Sequence, residues 1–161
     1  GVGAVTTTLD GEPITAFSNL SPFCKLIQST ETGRQRCRES WRELGRQTSR
    51  SPALSQCHAG LCYARGRMDV GEDFLAMVFA GQFRLEGQDF EMHSLRELAI
   101  ACGLPPFALQ AAAAEVPFLP QLQSDKALRL LQEVAQTFSE IGMERLALLQ
   151  RLRRISEMSA V

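Results

Sequence analysis

The sequence lacks the features that would place it in a membrane or on a nucleic acid. Seventeen basic and eighteen acidic residues leave a net charge of −1, so no overall field attracts the chain to phosphates. No apolar run reaches the roughly 18 residues that a membrane-spanning helix needs, and the first residues lack the basic and apolar regions of a signal peptide. These absences predict a cytoplasmic protein without membrane insertion or direct nucleic-acid binding.

One row of arginines comes close to a nucleic-acid-binding pattern. Glu39 and Glu43 interrupt the row, and the chain has a single Trp and a single Tyr, so the alternating charges predict a solvated helix face. Arg65 and Arg67 share a predicted strand face, which we interpret as exposed sheet in preference to an anion site. The interrupted row comprises Arg34, Arg38, Arg42, Arg46 and Arg50.

Catalytic motifs are missing as well. The sequence contains no nucleophile elbow, phosphate-binding glycine loop, paired-carboxylate signature or zinc-protease spacing. Cys57 stands next to His58, but a catalytic thiol and imidazole must meet across the fold and are seldom neighbours in sequence. The pattern predicts a protein that is not an enzyme, with a thiol enzyme as a minor alternative.

Because the chain lacks an initiator Met and ends inside a charged helical pattern, we expect it to be part of a longer protein.

The cysteines are concentrated in one part of the chain. It carries five cysteines, four of them between Cys24 and Cys62, and an odd number in a cytoplasmic protein favours thiols over disulfides. Thiolates and imidazoles are the ligands of zinc and iron–sulfur clusters. We therefore predict a zinc or iron–sulfur site at Cys24, Cys37 and Cys57, with a fourth ligand from the same region. The alternative is that these are buried free thiols.

Two residues compete for the fourth position. Cys57 and Cys62 flank a turn that could aim both sulfurs at one point, whereas Cys57 and His58, as neighbours in extended chain, point to opposite faces. Geometry thus favours Cys62, with His58 as the alternative. Cys102, alone on an apolar helix face, is assigned to the core.

The order of predicted elements indicates an α+β fold. With 161 residues of which 45% are hydrophobic, the chain can bury one core. We expect one domain over residues 1–122 and a C-terminal signalling and dimerisation helix over residues 123–161. The predicted elements are a hairpin of 4–8 with 14–17, a helix opened by Ser21 and Pro22, a helix over 33–49, strands over 61–68 and 74–83, a helix ending near 102, an alanine-rich helix, and a final helix over 124–158.

The final helix carries a heptad pattern. Apolar side chains recur at alternating spacings of three and four, interrupted by Arg145, and this period predicts a parallel coiled coil between two protomers that continues into an output domain. The alternative is a helix packed entirely on its own domain. The repeating positions are Leu131, Val134, Phe138, Ile141, Arg145, Leu148, Leu152 and Ile155.

The motifs taken together resemble those of the PocR-type sensory domain of prokaryotic signalling proteins. The specific elements are Phe23 with Cys24, then Cys37, the run from Cys57 to Leu61, and Gly81 with Gln82. The resemblance covers nearly the whole chain before the heptads. Cys62 departs from the family pattern, so a four-thiolate site and a site completed by His58 both stay open.

This resemblance implies a PAS-like or GAF-like ligand-sensing domain that precedes a DNA-binding, histidine kinase or diguanylate cyclase output. It implies that the ligand is a small organic molecule, simple diols and hydrocarbon derivatives among them. We expect sensing of such a ligand, of redox state at the cysteine site, or of both; in the alternative, the cysteines only support a small-molecule pocket. The expected pocket residues are Phe23, Trp41, Tyr63, Gly81 and Gln82.

Overall fold

The computed structural model describes residues 3–46, 53–71 and 73–159. Its centre is an open antiparallel sheet in the order β1, β4, β3, β2. A short fifth strand runs parallel to the end of β4 and pairs with it at Arg84 and Leu85. The strands are β1 (Gly3–Thr7), β2 (Ala53–Gln56), β3 (Cys62–Val70), β4 (Asp73–Leu85) and β5 (Phe118–Leu119).

Helices cover both faces of the sheet, and the predicted α+β class is confirmed. Four helices share one apolar core with Tyr63 and Phe79 of the sheet, while the final helix packs on the opposite face against Ala64 and Val78. Alternate residues of a strand point to opposite faces, which is why neighbouring positions serve separate cores. The helices are α1 (Pro22–Gln28), α2 (Glu31–Gly45), α3 (Met92–Ala101), α4 (Pro106–Ala114) and α5 (Gln121–Ser159).

Polar caps begin the first two helices where the sequence carries them. The hydroxyl of Ser21 accepts from the backbone N–H of Cys24 at 3.2 Å, and Pro22 occupies the first position of α1. Thr30 accepts in the same way from Gly33 at 3.1 Å at the start of α2. Such caps satisfy backbone donors that have no partner inside the helix, so they fix where the cysteine-bearing helices begin.

Some element predictions were wrong. Residues 14–17 form no strand; the expected hairpin is reduced to isolated bridges of Ala4 with Ser18 and of Thr7 with Pro13. β1 pairs with β4 instead, placing Val5 opposite Phe79 on the buried face. β2 was not predicted. α2 ends at Gly45, and residues 47–49 of the predicted helix lie outside the described residues.

The N-terminal half of α5 lies across β3. Leu131 and Ala135 pack where Gly66 leaves room, since a Cβ at Gly66 would lie 3.1 Å from that of Ala135. The hydroxyl of Ser139 accepts from the backbone N–H of Asp69 at 3.0 Å. From residue 144 to 158 every side chain is exposed, so the far half of the helix makes no core of its own. Within the described ranges, no helix combines the length and apolarity needed to cross a bilayer.

Candidate functional site

Three of the predicted ligands lie in one core, beside an imidazole and a phenol. Cys24 in α1 places its sulfur 4.0 Å from the Tyr63 hydroxyl. Cys37 in α2 places its sulfur 3.2 Å from Nε2 of His58. Cys57 belongs to the turn before β3 and packs against the same core. We call the group formed by Cys24, Cys37, Cys57 and His58 the thiol cluster.

A tight turn presents Cys57 and His58 to the other elements. The backbone N–H of Cys57 donates to Leu61 at 2.9 Å, and that of Gly60 donates to Cys57 at 2.9 Å. Gly60 has a φ of +76°, a conformation that favours glycine. The backbone N–H of His58 donates to the hydroxyl of Ser40 at 3.1 Å. The turn is thus held both by its own hydrogen bonds and by α2.

The structure does not bring Cys62 to the thiol cluster. Tyr63, the next residue in the strand, faces Cys24, so Cys62 points away from it; its thiol lies 3.4 Å from Oε1 of Gln88. Cys102 instead joins the core at the end of α3 and is fully buried, close enough to contribute to the electrostatics of Cys37. Cys62 as the fourth ligand therefore stays a prediction from the turn geometry, without support from the position of its sulfur.

The thiols of the cluster are protonated at neutral pH. Burial, followed by the neighbouring Cys57, Cys24 and Cys102, raises the pKa of Cys37 strongly. Burial likewise raises the pKa of Cys57 to about 12, against opposing hydrogen bonds from the turn backbone, and that of Cys24. A thiol that keeps its proton is a weak nucleophile, so these shifts disfavour nucleophilic chemistry at Cys24, Cys37 and Cys57.

His58 is neutral and incompletely bonded. Burial, and then the nearby charge of Arg36, lower the pKa of His58 to about 4, while Glu39 opposes the shift. Its Nδ1 atom is buried without a hydrogen-bond partner in the described part of the chain. A buried polar atom of this kind is uncommon in native proteins.

The arrangement does not fit a metal as it stands. Over residues 3–46, 53–71 and 73–159, no three His, Cys, Asp or Glu side chains are grouped so that they could hold one ion. The zinc or iron–sulfur site therefore stays a prediction from the sequence, without support from the positions of the thiols.

A cleft opens on one side of the turn; we call it the turn cleft. It has a volume of about 360 Å³. Residues 57–60 form one wall, and the apolar side chains of Ala59, Leu95 and Leu98 are buried within it. The opposite wall comes from the segment after β4 and from α3, through Asp89, Phe90, Glu91, Ser94, Leu95 and Leu98.

A second cleft opens on the other side of Cys57 and His58, against α2; we call it the α2 cleft. Its volume is about 450 Å³, and its lining is more polar, with Arg36, Glu39, Ser40, Glu43 and Gln56 beside the two turn residues. Glu39 and Glu43 are exposed, whereas Ser40 is buried. One short segment of the turn thus separates two clefts of different chemistry.

The five expected pocket residues line neither cleft. Phe23 is buried and stacks on Phe90 with 5.3 Å between ring centroids, and Trp41 packs between Phe17 and Phe79. Tyr63 contacts Cys24 and not open space. These aromatic residues lie in the core beneath the residues that line the clefts. Their role as ligand contacts stays a prediction.

Gly81 and Gln82 have a structural role that the sequence did not disclose. Gly81 packs so closely that a Cβ would contact the Cys62 carbonyl and lie 2.7 Å from Cα of Tyr63. Gln82 has a φ of +73°, and its Oε1 accepts from the backbone N–H of Ser21 at 2.7 Å. This buried amide fixes the start of α1 and, with it, Cys24.

Sequence reasoning missed most of the residues that line the turn cleft, and it missed Arg84. The 89–98 segment carries no motif, so only its tertiary position reveals it. Arg84 is buried; its guanidinium lies 4.9 Å from the Phe90 ring centroid and 4.0 Å from that of Phe118. An isolated arginine of this kind has no pattern in the sequence that would mark it.

Comparison with known proteins agrees with the motif resemblance. Residues 1–143 match the family described as the sensory domain found in PocR. The regulatory protein PocR of Salmonella typhimurium is 32% identical over 87 residues, which are 53% of this chain and 29% of that protein. The chain thus spans less than a third of this relative's length. No solved structure matches the chain. Because the match covers every residue before the exposed half of α5, the chain belongs to the PocR sensory domain family.

Proposed function

We propose that the domain senses a small organic molecule bound in the turn cleft and transmits binding through α5. That the domain is sensory rests on its family, which is described as the sensory domain found in a regulatory protein. The proposed role requires no catalytic activity. The observation that supports the turn cleft most directly is its lining: an apolar interior of Ala59, Leu95 and Leu98 beside the neutral imidazole of His58. Small-molecule sites typically combine an apolar lining with a few polar groups.

Arg84 connects this cleft to the start of α5. Its Nη1 lies 3.6 Å from the carboxylate of Asp89, and its guanidinium stacks on Phe90, both of which line the turn cleft. On its other side the same guanidinium stacks on Phe118 and donates to the carbonyl of Val116 at 3.2 Å. Phe118 belongs to β5, and two residues separate it from Gln121, where α5 begins. A ligand that shifts the cleft wall would therefore act on one side chain that also holds the entry to α5.

We further propose that α5 dimerises through its exposed heptad face. Phe138, Ile141, Leu148, Leu152 and Ile155 are each roughly half exposed, on a face turned away from the sheet. Leu131, the first heptad position, is buried against the sheet, so the coiled coil would begin after it. In a parallel pair, Arg145 would face Glu144 of the partner subunit, which offsets the cost of a charge on the seam.

The whole protein would carry an output domain in the same chain, because this domain spans only 29% of its relative PocR. The identity of the output is not implied by the described residues. Signalling would then consist of coupling between ligand binding and the conformation of α5. A ligand that binds one arrangement of the domain more tightly shifts the population of α5 pairs toward that arrangement.

The test is ligand-induced stabilisation, with a variant that fills the turn cleft. Short-chain alcohols, diols and ketones are screened for an increase in melting temperature, since a ligand at 100 times its Kd stabilises by about 2.7 kcal/mol. Ser94 is exposed at the wall of the cleft, so Ser94→Phe should block the cleft with little loss of stability. We expect it to abolish stabilisation by the best compound.

Arg96→Phe is the matched control, because Arg96 is exposed on α3 but does not line the turn cleft. It should respond to the compound as the wild type does. Equal stabilisation of wild type and Ser94→Phe would show that binding occurs elsewhere and would exclude the turn cleft as the sensory site.

A further inference from the structure

Gly142 stands inside a helix, where glycine is unfavourable compared with alanine. It is the only glycine in the 39 residues of α5. A Cβ at this position would lie 2.5 Å from Cγ2 of Val70, which is closer than two carbon atoms can pack. The glycine therefore leaves a notch in α5, and the notch is filled by residues 69–71 at the end of β3, which we call the hairpin tip.

The hairpin tip is attached to α5 at a second point, one helical turn before the notch. The backbone N–H of Asp69 donates to the hydroxyl of Ser139 at 3.0 Å, and this hydroxyl donates to the carbonyl of Ala135 at 3.0 Å. Ala135, Ser139 and Gly142 are all small, and their spacings of four and three residues place them on one face of the helix. Small side chains on that face allow α5 to approach β3 closely.

This attachment fixes the rotation of α5 about its own axis. Successive residues of a helix are turned by about 100°, so Phe138 and Ile141 of the heptad pattern lie roughly a quarter of a turn from the face of Ser139 and Gly142. They are 57% and 46% exposed. Because the β-branched side chain of Val70 is stiff, it cannot easily swing out of the notch to let the helix rotate.

We propose that Val70, seated in the notch at Gly142, positions α5 for dimerisation. The side chains of residues 144–158 are all exposed, so the hairpin tip holds the helix at the point where it leaves the domain. By fixing the rotation of α5 there, Val70 keeps the heptad face turned toward a second copy. This inference rests on the dimer proposed above, and it adds a contact outside the heptad pattern on which assembly depends.

Gly142→Ala separates this role from helix propensity. Alanine stabilises a helix relative to glycine, so propensity alone would leave the dimer as strong as in the wild type or strengthen it. We expect dimerisation to be at least about fivefold weaker, because the added Cβ displaces Val70 and the rotation of α5 is no longer fixed. The dissociation constant of the dimer is measured for the whole chain by sedimentation velocity over a range of concentrations.

Val70→Ala provides the matched background. By itself it empties the notch and should weaken dimerisation at least about threefold. Adding Gly142→Ala to it should restore an affinity within about twofold of the wild type, since two alanine side chains fill the space of one valine. Val5→Ala removes the same side chain from the core on the other face of the sheet. It should leave dimerisation unchanged and thus controls for a general loss of stability.

The proposal is overturned if Gly142→Ala dimerises as well as the wild type or better, or if it has the same effect in the Val70→Ala background as in the wild type. Should Gly142→Ala be too unstable to measure, Val70→Ala alone decides, and wild-type affinity in this variant overturns the proposal. A wild-type chain that stays monomeric would contradict the dimer itself, and this inference with it. A wild-type dimer that is indifferent to both substitutions would contradict only the positioning role of Val70.

Discussion

At the scale of single residues, the site is defined by what surrounds each cysteine and not by cysteine spacing. Cys24, Cys37 and Cys57 could be predicted to lie together because their motifs place them on elements that meet. The choice between Cys62 and His58 as their neighbour could not be made locally, since it depends on which face of β3 is turned toward α1 and on how the turn meets α2. Arg65 shows the same limit: predicted to be exposed, it is buried, and it donates to the carbonyl of Leu44 at 3.1 Å near the end of α2.

The buried imidazole of His58 should make the stability of the protein depend on pH. Its pKa of about 4 in the folded protein lies below the ordinary 6.5, so between these values the unfolded chain binds more protons at this position. Stability should therefore fall as the pH falls from 6.5 toward 4, and His58→Gln should remove that part of the decrease. The measurement is the free energy of unfolding in urea at several pH values for both proteins.

Carboxylates titrate in the same range, but they are common to both proteins, so the difference between the two curves isolates His58. His93→Gln serves as the control for the loss of an imidazole, because His93 is exposed on α3 and outside the core. Parallel curves for wild type and His58→Gln would show that the imidazole is no harder to protonate in the folded protein than in the unfolded chain.

At the scale of elements, caps and periodicity predicted the helices better than the sheet. Ser21 with Pro22 located the start of α1, and the heptads located α5. The pairing of β1 with β4 could not be predicted, because it joins segments about seventy residues apart, and short strands such as β2 carry little pattern. The heptad pattern also could not show that Leu131 packs within its own domain and not on a second copy. Its burial against the sheet shows this.

The exposed part of α5 yields a prediction about assembly. Leu152 lies on the heptad face and is 61% exposed, whereas Leu146, 39% exposed, lies on a different face of the same helix. Leu152→Glu should weaken dimerisation at least about tenfold, since it places a pair of like charges on an apolar seam. Leu146→Glu should leave the dimer intact. Sedimentation velocity over a range of concentrations distinguishes these outcomes, and a wild-type chain that stays monomeric at high concentration would contradict the assignment of a second copy to this face.

At the scale of the whole molecule, the sheet separates the site from the element that leaves the domain. The thiol cluster and both clefts involve the face covered by α1 to α4, while α5 packs on the other face. Arg84 lies where the two sides meet at the end of β4, in contact with the turn cleft and with the strand that leads into α5. Family membership predicted a sensory domain, but it could not locate this connection, because an isolated arginine has no pattern in the sequence.

The most direct test of ligand-driven signalling is hydrogen exchange of α5 in the full chain, with and without a saturating turn-cleft ligand. The domain should bind the compound and change the exchange rates of residues 121–143. Ser94→Phe should show no change, because it cannot bind, and Arg84→Gln should bind but lose most of the effect on α5. If the wild type binds the compound and exchange changes only around residues 57–60 and 89–98, then the cleft is a binding site without a connection to α5, which contradicts the proposed sensing mechanism.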